Sequence, residues 1–92
     1  MTLREILFTA EGLGEYDVVY AQRPWSLDSP ARVVQYQPDE TVLRQSEDGS
    51  LEYFLEATLI KDIREQVQEG GGVPSEAFRV IMYYAENDAF PE

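Results

Sequence analysis

Residues 51–69, LEYFLEATLIKDIREQVQE, switch hydrophobic period with no breaker between the two halves, and this switch does most to limit what the chain can fold into. Over residues 51–57, Leu51, Tyr53, Leu55 and Ala57 alternate with Glu52, Phe54 and Glu56, which predicts a strand with one covered face and one wetter face. From Leu59 onward the spacing is helical: Leu59, Ile60, Ile63 and Val67 fall within an arc of about 100°. Thr58 is the expected N-cap, and Gly70, Gly71 and Gly72 supply the stop, since glycine takes a left-handed conformation without steric cost. A strand that runs into an amphipathic helix requires a sheet for the helix to lie on.

The rest of the chain supplies that sheet. Thr2 and Glu5 match a capping box, and Leu3, Ile6, Leu7 and Ala10 form an i, i+3, i+4, i+7 stripe, predicting a helix over residues 2–11. Gly12 fits the left-handed position after it, with Leu13 folding back on Phe8. Residues 17–22 are strand-like and apolar on both faces, as in a central strand, and residues 31–36 follow closely enough to pair with them antiparallel. Residues 41–43 can form a short edge strand before the Asp48-Gly49 turn, which returns the chain into Leu51 as a hairpin. The last helix is expected to start at Ser75 as N-cap and to end at Glu86 or Asn87, with Pro91 closing the chain. The prediction is an α+β domain: helix, three or four antiparallel strands, then two helices, all gathered on one face of the sheet.

Ninety-two residues with 43% apolar and 12% aromatic content predict a single globular domain over residues 1–92. No apolar run has the length of a membrane span and the N-terminus has no signal-like segment, so a cytoplasmic protein is the expectation. Cysteine and histidine are both absent, which removes disulfides, thiol chemistry, the commonest general base and the commonest transition-metal ligand. No cofactor, metal site or catalytic constellation is expected. Eighteen acidic against seven basic residues give a net charge of −11, which repels nucleic-acid backbones and anionic membranes. The same surface either keeps the protein soluble or steers it toward a basic partner.

Two stretches carry candidate partner-binding residues. Residues 23–30 begin and end near prolines, so they form a loop. It holds the sole tryptophan, Trp25, between Arg23 and Asp28. Trp25 is either an interface anchor or a lid on one end of the core. The polar segment 37–50 contributes Asp39, Glu40, Glu47 and Asp48, without the ligand spacing of a calcium loop. Glu52 and Glu56 form a carboxylate pair to which no acid or base role can be assigned without a second polar cluster. In the last helix, residues 77–85 carry an apolar arc of about 200°, wider than one sheet face covers. Either Leu3, Ile6 and Leu7 cover the excess, or Phe78, Met82, Tyr83 and Tyr84 meet a second copy in a homodimer, which the narrow stripe of the preceding helix favours.

The runs RPWSLDSPARVV (residues 23–34), LEYFLEATLIKDI (residues 51–63) and YYAENDAF (residues 83–90) resemble a small acidic bacterial domain family of unknown function. The resemblance implies one compact domain and carries no mechanism. In size and charge alone the chain is also similar to immunity proteins that neutralise basic toxins. The expected function is non-catalytic binding of a protein, in a regulatory or immunity-like role. A structural homo-oligomer is the alternative, and an enzyme the third choice.

Overall fold

The structure, a computed structural model, describes residues 1–90. Three antiparallel strands, β1 (Asp17–Ala21), β2 (Ala31–Gln35) and β3 (Glu52–Glu56), form a sheet in the order β2-β1-β3. Helix α1 (Leu3–Phe8) precedes the sheet, and α2 (Ala57–Glu69) and α3 (Pro74–Asn87) follow it. This is the α+β architecture expected from the sequence. Val18, Val19, Tyr20 and Ala21 are all buried, as a strand paired on both edges and covered on both faces must be.

One face of the sheet carries the main core. Val19, Ala21 and Leu55 pack there with Leu3, Ile6 and Leu7 of α1, Ile60 and Ile63 of α2, and Phe78 and Ile81 of α3. The Thr2–Glu5 capping box forms, and α1 is tied to the loop before β2 by Leu3 N–H to the Ser29 carbonyl (3.0 Å) and Arg4 N–H to the Leu27 carbonyl (2.8 Å). Helix α3 packs along α2, and most of its broad apolar arc is taken up inside the chain. Phe78 and Ile81 are buried, and Val80, Met82, Tyr84 and Ala85 are half-buried against the core.

The opposite face carries Val18, Tyr20 and Leu51, with Val34, Tyr36 and Tyr53 packed around them. Its cover is a strap, residues 37–46, fastened by hydroxyl groups. Tyr20 Oη donates to the Leu43 carbonyl (2.6 Å), Tyr36 Oη lies 2.6 Å from Tyr20 Oη, and Leu43 N–H donates to Tyr36 Oη (3.2 Å). Because Tyr20 spends its proton on Leu43, Tyr36 must donate to Tyr20, which closes a directed ring through the N–H and carbonyl of one residue, Leu43. The strap ends in a short return where Ser46 N–H bonds to the Leu51 carbonyl and Tyr53 N–H to the Arg44 carbonyl, with Gly49 at φ 76° in the turn.

Several local expectations give way to tertiary packing. Strict alternation along β3 fails, because the pairing with β1 shifts between Val19 and Tyr20, so that Tyr53 opposes Tyr20 and Leu55 opposes Val19. The extra residue is a bulge that sends both Phe54 and Leu55 into the main core and leaves Tyr53 on the other face. Thr58 is not the N-cap: Glu56 is, with no side-chain cap, because the strand enters the helix two residues earlier, at buried Ala57. Ser75 likewise lies inside α3, where Val73 is the N-cap and Pro74, with its preset φ, takes the first turn. Residues 41–43 form no strand, since both polar groups of the Leu43 peptide are committed to tyrosines. Gly12 has no positive φ; α1 ends at Thr9, whose hydroxyl bonds back to the Glu5 carbonyl (2.9 Å), and a 3-10 turn, Ala10–Gly12, follows to bury Ala10. Phe8 is then exposed, so the expected contact with Leu13 is replaced by packing of Leu13 on the core. Pro91 lies outside the described residues.

The glycine stop after α2 is used residue by residue, which gives a graded prediction. Gly71 has φ 84°, so Gly71→Ala is expected to lose about 1 kcal/mol. At Gly72 an added Cβ would sit 2.6 Å from Val67 Cγ1 and 3.0 Å from the Val67 carbonyl oxygen, so Gly72→Ala should cost more, about 1–3 kcal/mol. Gly70, at φ −79° with no neighbour nearer than 3.6 Å, should accept alanine with a gain of a few tenths to about 1 kcal/mol. Urea midpoints should fall in the order Gly70→Ala, Gly71→Ala, Gly72→Ala, and equal midpoints would contradict it.

Candidate functional site

A groove of about 1100 Å³ runs beside β3, between the loop after β1, the strap, and the start of α2 with the C-terminal end of α3. Its floor is built on Trp25. The indole N–H donates to the Ala21 carbonyl (3.1 Å), and the ring meets buried Phe54 edge to face, with centroids 5.0 Å apart and planes at 77°. Trp25 therefore lids one end of the core and also lines the groove. Above it, the Arg23 guanidinium stacks 3.5 Å from the ring centroid. Arg23 also pairs with Glu52 of β3 (3.4 Å) and Glu86 of α3 (2.9 Å), joining three elements distant in sequence.

The walls are mixed in character. Leu59, Tyr84 and Ala85 supply apolar surface on one side, and Val42 and Leu43 of the strap, 38% and 49% exposed, supply it on the other. Glu47, Glu52, Glu56 and Asp88 contribute four carboxylates against the two guanidinium groups of Arg23 and Arg44. Tyr53 donates to Glu56 Oε1 (3.3 Å), and burial, then the Glu56 carboxylate, push its hydroxyl up to about 12. The result is a half-apolar trough with an acidic excess.

Of the partner-binding candidates read from the sequence, Arg23, Trp25 and Glu47 come together here. The others lie elsewhere. Asp28 pairs with Arg4 (2.5 Å), Asp39 is exposed on the strap, and Glu40 accepts from Gln37 N–H (2.6 Å) within its turn. Asp48 accepts from the Ser50 hydroxyl, the Ser50 N–H and the Ser46 hydroxyl, which hold its carboxyl well below the usual carboxylate range. Among the residues considered for a dimer, Phe78 is in the core, Met82 and Tyr84 are half-buried against it, and Tyr83 is 42% exposed. Sequence reading passed over Tyr53, Leu59 and Asp88 as site residues. Glu52 and Glu56 were visible only as an unassigned carboxylate pair, because the fold that brings the strap and α3 to them is not local.

No helix among the described residues is long and apolar enough to cross a membrane, and no cluster of three or more metal-ligating side chains occurs among them. The fold and groove define a small acidic α+β domain with one open trough beside its sheet edge. The chain matches the domain of unknown function DUF7716 over residues 1–92 and belongs to that family. No curated protein and no solved structure matches it.

Proposed function

We propose that this protein is a non-catalytic binding module that takes a basic segment of another protein into the groove over Trp25. The observation that carries this reading is the coincidence of an aromatic floor with four carboxylates on the walls. Aromatic and arginine side chains recur where binding energy concentrates, and a net charge of −11 draws a cationic partner from a distance. A sequence without histidine or cysteine is consistent with binding in place of chemistry. A regulatory or immunity-like role, exerted by occupying a basic surface, follows from the same properties. Self-association through α3 has less to offer, since Phe78 already serves the core and each copy would bring the same negative charge.

Trp25 is the sole tryptophan, so its fluorescence reports directly on the groove. Titration with an arginine-rich decapeptide is expected to shift that emission, with affinity falling on the order of tenfold between roughly 0.05 M and 0.5 M salt. An acidic decapeptide of the same length should leave the emission unchanged. A response that is equal for both peptides, or insensitive to salt, would overturn the reading.

A further inference from the structure

The groove runs along the outer edge of β3, an edge strand of the sheet. β3 has β1 on one side. On its other side, the short return of the strap bonds to Leu51 and Tyr53 and then leaves. The cause is the tyrosine ring: Leu43, the next residue back along the strap, gives its N–H to Tyr36 and its carbonyl to Tyr20. Among the described residues, no third segment makes a backbone hydrogen bond to residues 54–56. Ladder parity shows which groups face outward. Tyr36 N–H bonds to the Tyr16 carbonyl, so even-numbered residues of this ladder serve β2 and odd-numbered residues of β1 serve β3. Glu56, paired with Val18, accordingly turns its N–H away from β1 and into the groove.

We infer that a basic partner binds by strand addition, laying an extended segment against the outer edge of β3 at residues 54–56 as the fourth strand of the sheet. The inference rests on the binding role proposed above and specifies its mode. An exposed sheet edge templates this kind of pairing, in which main-chain hydrogen bonds give affinity and alternate side chains give specificity. Here one set of alternate side chains would face Trp25 and Leu59, and the carboxylates of Glu47, Glu56 and Asp88 would receive cationic neighbours. Charge selects the occupant: a second copy of this chain would add its own −11 to the same edge, whereas an arginine- or lysine-bearing strand neutralises it.

The test uses the full chain and an acetylated octapeptide of alternating arginine and valine. Two further versions are N-methylated at alternate residues, one on each edge, so that one loses its donors toward β3 and the other its donors toward solvent. Strand addition predicts that the parent peptide binds and slows amide exchange at Glu56. One methylated isomer should lose about tenfold or more in affinity while the other matches the parent. If both isomers bind like the parent, the groove binds basic peptides but not as a strand, and this inference fails while the binding role stands. If the parent does not bind, both fail. Slow exchange at Glu56 in the free protein would mean that the strap already fills the edge, or a second copy if the protection grows with protein concentration; either result overturns the inference.

Discussion

Replacing Phe54 by alanine should cost about 3–5 kcal/mol, the range for truncating a fully enclosed aromatic side chain, and it should be the most damaging single change in the sheet. Phe54 is 1% exposed and stands where the bulge in β3 adds a second core residue beside Leu55. Its ring also supports Trp25, so the loss includes an edge-to-face pair as well as apolar burial. A domain of this size has a total stability of about 5–15 kcal/mol, so the variant should be partly unfolded at ambient temperature or have a sharply lowered urea midpoint. Phe54→Leu keeps most of the volume and should cost about 1.5 kcal/mol or less beyond the lost ring contact. Trp25→Ala, by contrast, removes a half-buried lid and should leave a folded chain that has lost peptide binding. The checking measurement is a urea melt of the three variants followed by circular dichroism. A Phe54→Ala unfolding free energy within about 1 kcal/mol of the parent, far less than the ~3–5 kcal/mol loss expected, would mean that the bulge does not build the core as described.

The same residue shows where sequence legibility ended. A period of two in residues 51–57 identified a strand, and a period of 3.6 after it identified a helix, because both depend on neighbours within a few positions. A bulge depends on what lies across the ladder. The inserted residue reverses the face beyond it, so Leu55 joins Phe54 in the main core and parts from Leu51 and Tyr53; Phe54 reads as wetter only because alternation does not show that both faces are covered. The central position of β1 was legible, since a strand apolar on both faces has no solvent side to show. The caps at Thr58 and Ser75 were misplaced for the opposite reason: good local capping chemistry yielded to burial of Ala57 and to the first-turn proline. For the site, composition pointed to Arg23 and Trp25 as a pair. Glu52 and Glu86 reach the same guanidinium only because β3 and α3 converge on it from 29 and 63 residues away (52 − 23 and 86 − 23). Residues 41–43 have the composition of a strand, and nothing local predicts that two tyrosines will claim the Leu43 peptide.

Alkali should open the strap before it unfolds the rest of the domain. The Tyr20 hydroxyl is raised above its ordinary value, first by burial and then by its bond to Tyr36, and Tyr53 is pushed up to about 12, first by burial and then by Glu56. An acid whose folded pKa lies above its unfolded one favours folding below the unfolded value, near 10. That contribution is lost as pH rises through the folded value, so the window opens at about pH 10 and extends to pH 12 and beyond. The hydroxyl ring makes the loss abrupt, because each member both gives and receives a hydrogen bond. Removing the Tyr20 proton leaves an anion facing the Leu43 carbonyl. Arg44, 5.9 Å from the Tyr53 ring, opposes the shift there without reversing it. The measurement is tyrosinate absorbance against pH, alongside amide exchange of residues 37–46. Tyr20 and Tyr53 should titrate above the ordinary tyrosine value, and the strap amides should lose protection in the same pH range while those of β1 hold longer. Tyr20→Phe should move strap opening down to neutral pH at a cost of about 1–3 kcal/mol, since it leaves the half-buried Leu43 carbonyl without its donor. Tyr20 and Tyr53 titrating near the ordinary value, with strap protection unchanged in Tyr20→Phe, would show that the ring does not fasten the strap. In that case the open edge of β3 would need another cause.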